Sequence, residues 1–78
     1  MSKLPSLKLG LYRHYKGDLY RVLGVARHSE THEFLVVYQG QYDHPEFGKN
    51  PIWVRPFEMF VADVDLKGKK VKRFSFVE

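Results

Sequence analysis

The fold is decided by the stretch EFLVVY, residues 33–38, which joins aromatic and β-branched residues without a break. In a strand, Phe34, Val36 and Tyr38 share one face, and Leu35 and Val37 share the other. Apolar residues on both faces predict a central strand that is covered on both sides.

Two further strands are predicted on the N-terminal side of this stretch. The segments LYRHY (11–15) and LYRVLGVA (19–26) are rich in aromatic and β-branched residues, and a polar turn containing Gly17 separates them. This order is typical of a β-hairpin. Gly24 interrupts the second segment and predicts a β-bulge or a strong bend, a device that small barrels use to close.

The C-terminal side shows shorter elements. Residues 39–51 carry two Gly and two Pro and predict a long loop, whereas residues 52–55 predict a strand that ends at Pro56. Residues 57–60 suit one helical turn, residues 61–66 are ambiguous, residues 67–69 suit a turn, and residues 73–77 suit a last strand. We therefore expect an all-β fold with five or six strands, either an antiparallel SH3-like barrel or a strongly bent sheet, and one short helical turn near Phe57–Phe60.

Length and composition limit the chain to one small domain. Of its 78 residues, 44% are hydrophobic and 15% are aromatic. This apolar content suffices for a core and excludes global disorder. Pro5 opposes regular structure near the start, so we expect a flexible lead-in over residues 1–9 and a single β-barrel-like domain over residues 10–78.

The absence of cysteine excludes disulfides, a thiolate nucleophile and Cys-based zinc sites. Small secreted domains often need such cross-links, so their absence favours a reducing compartment. No apolar segment of a signal peptide follows the first five residues, and no run approaches the roughly 20 apolar residues of a membrane-spanning helix. These features predict a cytoplasmic protein that needs no membrane and no cofactor.

Longer motifs point to a known family. They are GLYRHYKG (10–17), YRVLGVARHSET (20–31), VVYQ (36–39), WVRP (53–56) and MF (59–60). These segments resemble a small bacterial family known as domain of unknown function 1653, from about residue 10 to residue 76. The resemblance implies a compact, β-rich, stand-alone bacterial domain and brings no established activity. The polar positions of the shared pattern are His14, Arg27, His28, Glu30, Thr31, Glu33 and Arg55.

The chain departs from the family pattern in two places. The loop Asp43–Asn50 is longer than the usual link between the Tyr and Trp-Val-Arg-Pro motifs, and Lys72 stands where a Pro is expected before Arg-Phe. The longer loop argues against treating a site built on it as a family trait.

Arginine and aromatic side chains predict a non-catalytic binding surface. Tyr and Trp give rigid contact area, and Arg can stack on rings or grip a carboxylate or phosphate. The expected ligand is anionic or extended: a peptide, a nucleic-acid segment or a phosphorylated small molecule. Against this, the aromatic rings can serve the core, and Arg27 and Arg55 can pair with Glu30 or Glu33. The proposed ligand-binding residues are Tyr12, Arg13, His14, Tyr15, Arg27, His28, Glu30, Trp53 and Arg55.

An alternative is a small enzyme or metal-dependent domain centred on His28 and Glu30. His28, His32 and Glu30 have the right chemistry for zinc, and His28 with Glu30 or Glu33 would make an acid–base pair. The polar segment 27–33 is predicted to be a loop, however, and structural zinc sites need four ligands, which argues against a metal site. A structural role accounts for the same polar residues, because Ser29, Glu30 and Thr31 can form hydrogen bonds with nearby backbone N–H groups. We therefore assign no catalytic residue and no metal site.

A basic run near the C-terminus suggests a second kind of partner. Five cations fall within residues 67–73, and the formal net charge of the chain is +4. Such a run can contact phosphates of nucleic acid, or it can keep a strand edge from pairing with other chains. The residues of the run are Lys67, Lys69, Lys70, Lys72 and Arg73.

A third hypothesis is a module that interacts or dimerises through an exposed edge of its sheet. In this hypothesis the chain is a monomer or a weak dimer.

Overall fold

Strands dominate the secondary structure. The computed structural model describes residues 5–78, so the first four residues of the expected lead-in lie outside the described part. The elements in chain order are β1 (Gly10–His14), β2 (Leu19–Arg27), β3 (Phe34–Gly40), β4 (Asp43–His44), β5 (Gly48–Lys49), β6 (Ile52–Pro56), α1 (Phe57–Val61), β7 (Asp63–Leu66), β8 (Lys69–Lys72) and β9 (Phe74–Phe76).

Five of these strands form one antiparallel sheet in the order β6-β3-β2-β1-β9. Strand β3, predicted as central, lies between β2 and β6, so both of its edges are paired. The all-β class and the short helix after Pro56 are confirmed. Within residues 5–78 the sheet is not closed into a barrel, so the open sheet is the architecture that the chain adopts.

The bulge predicted at Gly24 is present. The register between β2 and β3 shifts between Val22 and Gly24, which leaves Leu23 without a partner on β3. An extra residue of this kind bends the strand and increases its twist. The turn after β1 is also confirmed, and Gly17 supplies its positive φ of 111°.

The core lies on one face of the sheet, under helix α1. Val36 is fully buried and Phe60 of α1 is 2% exposed. The rings of Phe60 and Phe74 stack with their centroids 4.1 Å apart and their planes 6° apart. The helix is only one turn long, so this packing, and not helix propensity, stabilises it. The buried hydrophobic residues are Tyr12, Val22, Val36, Tyr38, Phe60 and Phe74.

Two small hairpins project beyond the main sheet. Residues 39–51, predicted as a loop, contain the β4–β5 hairpin, and the ambiguous residues 61–66 contain β7, which pairs with β8. Residues 5–9 also contact the body, since Leu7 packs against the core and the Lys8 carbonyl accepts a hydrogen bond from the Tyr12 hydroxyl at 2.6 Å. Among the described residues, no helix has the length and apolar character to span a membrane.

Candidate functional site

A cleft of about 240 Å³ opens on the core face of the sheet, between its strands and the β4–β5 hairpin. Tyr38 and Trp53 face each other across β3 and β6, so their rings lie on the same side of the sheet. Tyr20 pairs with Gly40 on the other side of β3. The lining residues are Tyr20, Tyr38, Tyr42, His44, Trp53 and Arg55.

Gly40 makes room for the ring of Tyr42. A Cβ atom at position 40 would lie 2.6 Å from Cε2 and 2.7 Å from Cζ of Tyr42. Any larger residue would therefore push the ring away from the sheet. The absence of a side chain at Gly40 lets the chain turn into the β4–β5 hairpin and place Tyr42 over the cleft.

A chain of hydrogen bonds joins three of the lining rings. Trp53 Nε1 donates to the Tyr42 hydroxyl at 3.1 Å, and the Tyr42 hydroxyl donates to the Tyr20 hydroxyl at 3.3 Å. A hydroxyl carries one proton. The proton of Tyr20 therefore remains available to an acceptor in the cleft.

Arg55 brings a positive charge to the same cleft. Its Nε donates to the Tyr38 hydroxyl at 3.2 Å, and its guanidinium lies 6.0 Å from the centroid of the Phe74 ring. Among residues 5–78, no carboxylate lies within ion-pair distance of this guanidinium. The terminal N–H groups of Arg55 are thus free to bind an anion in a bidentate manner.

His44 is held by the turn that it closes. Its Nδ1 accepts the backbone N–H groups of Glu46 at 3.0 Å and Phe47 at 3.2 Å. The neutral ring must therefore carry its proton on Nε2 and act there as a donor. Phe47, 58% exposed, packs at 4.6 Å against His44 and at 5.5 Å against Trp53.

The hydroxyl of Tyr20 stays protonated at neutral pH. Burial raises the pKa of Tyr20 well above its ordinary value of 10.0. Tyr20 therefore remains a hydrogen-bond donor. The cleft presents donors from Tyr, Arg and His side chains, with no carboxylate among the residues that line it.

Two further basic groups lie close to the cleft. The ring of His14 packs edge-on against Phe74 at 4.9 Å and Tyr20 at 6.3 Å. Burial lowers the pKa of His14, and the charges of Arg55 and Arg73 lower it further. Arg73 Nε is buried and has no hydrogen-bond partner in the described part of the chain. The charges of Arg55 and Arg73 therefore meet at His14, whose ring packs against Phe74.

The depressed pKa of His14 predicts a pH-dependent stability. Because the unfolded chain binds the proton more readily, His14 contributes stability that is present above the ordinary pKa of 6.5 and is lost as the pH falls through the lower folded value. We expect His14→Asn to reduce this slope in urea unfolding at a series of pH values. Asn can still accept the Lys16 N–H that His14 Nδ1 accepts at 3.2 Å. An unchanged slope would contradict the assignment.

The proposed ligand-binding residues fall in several places. Trp53 and Arg55 share the cleft, and His14 lies beside it with the ring of Tyr15 at 4.6 Å. Tyr12 is 6% exposed and belongs to the core, because its side chain points under α1 toward Phe60. Arg13 is exposed on the opposite face of β1, since successive side chains of a strand alternate.

Arg27, His28 and Glu30 lie at the β2–β3 connection and do not line the cleft. Arg27 Nη1 donates to the His32 carbonyl at 2.8 Å, and its guanidinium lies 4.3 Å from the Phe34 ring centroid. His28 Nδ1 accepts the backbone N–H groups of Glu30 and Thr31 at 3.0 and 3.2 Å. These are the local hydrogen bonds that a tight connection uses.

The residues of the basic run lie at different parts of the β7–β8 hairpin. Lys70 and Lys72 face Asp65 and Asp63 across the ladder, so acidic residues offset part of their charge. Lys67 and Lys69 are exposed at the tip of the hairpin, where Lys67 has a positive φ of 52°. Arg73 is half-buried after the hairpin and lies near His14.

Tyr42, His44 and Phe47 were not among the proposed site residues. They lie in residues 39–51, which the Gly and Pro residues predicted to be a loop, so the aromatic side chains of this segment were not considered as site residues. The signal that could have found them is the short spacing of three rings around a Pro, which is unusual for a solvated loop. Tyr20 and Tyr38 were not among the proposed site residues either, and both pack against the core while also lining the cleft.

Comparison with known proteins agrees with the resemblance seen in the sequence. A crystal structure of a protein of the DUF1653 family from Bordetella bronchiseptica superposes with a TM-score of 0.82 and 38% sequence identity, covering 92% of this chain and 88% of that chain. No curated protein matches. The sequence model of DUF1653, described as a protein of unknown function, matches residues 10–76. The chain therefore belongs to the DUF1653 family.

Proposed function

We propose that this chain is a non-catalytic binding module that holds an anionic ligand in the cleft beside Arg55. The observation that carries the proposal is an excess of hydrogen-bond donors without a carboxylate. Arg55 has no ion pair among residues 5–78, and the Tyr20 proton has no acceptor there. An anion would satisfy both groups at once.

The surroundings of Arg55 increase the strength of such an interaction. Aromatic rings make up most of the cleft lining around Arg55, and charges interact more strongly where apolar groups replace part of the surrounding water. The ring of Phe74 and the hydroxyl of Tyr38 hold the guanidinium in place before a ligand arrives. A group that is already ordered loses less conformational entropy on binding.

The remaining features fit a binding role better than catalysis. No cysteine is present, and the histidine that lines the cleft is engaged through Nδ1 in its own turn. The hydrogen-bond chain of Trp53, Tyr42 and Tyr20 ends in a donor, and within residues 5–78 no base accepts its proton. We further propose a cytoplasmic location, which the cysteine-free composition favours, and a bacterial source, which the relative from Bordetella bronchiseptica favours. The chain would act as a monomer or a weak dimer.

We expect Arg55→Gln to weaken the binding of inorganic phosphate and phenyl phosphate by about 10-fold to 100-fold, because hydrogen bonds to charged groups contribute about 1.5–3 kcal/mol. Two-dimensional NMR of ¹⁵N-labelled protein would follow Arg55 Nε and Trp53 Nε1 during the titration. Arg21→Gln is the matched control: it removes the same charge from an exposed position on the opposite face of the sheet.

We expect the NMR signal changes caused by phosphate to depend on the arginine on the cleft side of the sheet and not on the arginine of the opposite face. Phosphate should shift the Arg55 Nε and Trp53 Nε1 signals in the original chain and in Arg21→Gln. In Arg55→Gln, the same phosphate concentrations should leave the Trp53 Nε1 signal in place. Equal loss of affinity in the two variants would show that only net charge matters. Absence of shifts with both anions at concentrations up to tens of millimolar would rule out the proposed site.

A further inference from the structure

We propose that the free edge of strand β6 binds an extended acidic peptide, which adds to the sheet as a sixth antiparallel strand next to the cleft. The inference rests on the proposed function, because it uses Arg55 as the group that meets the carboxylate of the peptide. Three features carry it: the unpaired backbone of β6, the alternation of its side chains and the uncompensated charge of Arg55.

The backbone of β6 leaves hydrogen-bonding groups unpaired at the edge of the sheet. Gly40 N–H donates to the Pro51 carbonyl at 2.8 Å, and these residues continue the register that pairs β3 with β6. Hydrogen-bonded pairs alternate along an antiparallel ladder. Trp53 and Arg55 therefore bond to β3, whereas the N–H and C=O groups of Ile52 and Val54 point outward, where no described residue meets them.

Between Pro51 and Pro56 the edge of β6 carries no lysine, and the carboxylate of an acidic peptide would meet the inward-pointing charge of Arg55. Proteins normally protect an exposed strand edge with lysines, inward-pointing charges or a covering element. In β6 the residues whose backbone points outward are Ile52 and Val54, and their side chains are 61% and 60% exposed. Prolines at positions 51 and 56 limit the open stretch at its two ends, so the edge fits a short strand.

The side chains of β6 define which peptide fits. A residue that pairs opposite Arg55 or Trp53 points into the cleft, and a residue opposite Val54 or Ile52 points to the other face. Read along an antiparallel peptide, the order is a carboxylate opposite Arg55, an aliphatic residue opposite Val54, any residue opposite Trp53 and an aliphatic residue opposite Ile52. The predicted motif is acidic, aliphatic, any residue, aliphatic.

Charge favours a peptide over a second copy of the chain. The formal net charge is +4, so two copies repel each other, and β6 itself contains no acidic residue that could meet Arg55. Pairing β6 with β6 would therefore leave the guanidinium without a carboxylate. A nucleic acid could supply the negative charge, but it has no peptide backbone to bond with the edge at Ile52 and Val54.

The test is a titration of the full chain with the peptide acetyl-Ser-Glu-Val-Tyr-Val-Ser-amide, followed by NMR and amide hydrogen exchange. We expect the amides of Ile52 and Val54 to exchange at least 10-fold more slowly with the peptide bound, because each then donates to the added strand. The same peptide with Gln in place of Glu should bind at least 10-fold more weakly, and Arg55→Gln should abolish this difference.

Val54→Pro tests the edge separately from the cleft. Its outward N–H is lost while no hydrogen bond to β3 is removed, since proline is tolerated on an edge strand in that orientation. We expect Val54→Pro to lose peptide binding and to keep phosphate binding at Arg55. Val54→Thr, which keeps the N–H group and a β-branched side chain, is the control that should retain amide protection. If Val54→Pro fails to fold, the protection of the Ile52 and Val54 amides in the original chain still tests the edge.

Several results would overturn the inference and leave the proposed function standing. One is phosphate binding at Arg55 with no protection of Ile52 and Val54 by the peptide. Another is slow exchange of those amides without peptide, together with a dimer in sedimentation equilibrium, which would make a second copy the occupant. Tighter binding of a single-stranded oligonucleotide than of the peptide would assign the cleft to nucleic acid. If the original chain does not bind phosphate, both the proposed function and the peptide-binding inference are wrong.

Discussion

Phe60→Ala is expected to lower the free energy of unfolding by about 3–5 kcal/mol, as truncation of buried Phe residues generally does. Phe60 is 2% exposed, stacks on Phe74 and makes edge contacts with Tyr12 at 5.6 Å and Tyr38 at 5.4 Å. A domain of this size has a total stability of roughly 4–12 kcal/mol. The substitution should therefore remove a large share of the total stability.

Urea unfolding followed by the fluorescence of Trp53 measures this effect. Met59→Ala is the matched control, because Met59 lies on the same helix and is 49% exposed. Exposed substitutions usually change stability by less than about 0.5 kcal/mol. A loss below about 1 kcal/mol for Phe60→Ala would show that α1 does not cover the core in solution.

Gly40→Ala is expected to destabilise the protein by about 1–3 kcal/mol and to weaken phosphate binding in the cleft. The added methyl group would occupy the place of the Tyr42 ring, whose Cε2 atom is 2.6 Å from the ideal Cβ position. If the ring moves away, the Tyr42 hydroxyl leaves both Trp53 Nε1 and the Tyr20 hydroxyl. One substitution would then change stability and affinity together.

Gly24→Ala separates this effect from the general cost of replacing glycine in a strand. Nothing lies within 4 Å of a Cβ atom at position 24, so the change should cost less than about 1 kcal/mol and leave phosphate binding intact. Tyr42→Phe keeps the ring and removes the hydroxyl. If Gly40→Ala lowers affinity and Tyr42→Phe does not, the position of the ring matters more than its hydrogen bonds.

The main sheet was predictable because its strands carry strong local signals. The run from Phe34 to Tyr38 and the Gly17 turn each point to one structure, and the Gly24 bulge follows from a break in an otherwise regular strand. The β4–β5 and β7–β8 hairpins were not predicted as strands. Their strands have two to four residues and contain Asp, Lys and Gly, which are uncommon in strands, so tertiary contacts decide their structure.

The chemical type of the candidate site was predictable, but only some of the residues that form it were. Arg55 and Trp53 were identified because an Arg and a Trp close together in a strand are chemically distinctive. Tyr12 was assigned to the surface, although an alternating strand pattern places it on the same face as the buried Val22. Which arginines have a nearby carboxylate depends on contacts distant in sequence, so the isolation of Arg55 could be seen only in the folded chain.

The pairing of β1 with β9 has a consequence for how quickly the chain folds. These strands come from opposite ends of the described sequence, yet Val77 N–H donates to the Leu11 carbonyl at 2.7 Å and Leu11 N–H donates to the Glu78 carbonyl at 2.8 Å. Closing so long a loop costs entropy before any contact compensates it. Phe74, which stacks beneath Phe60, arrives only with that closure, so the rate-limiting barrier for folding should include the meeting of the two ends.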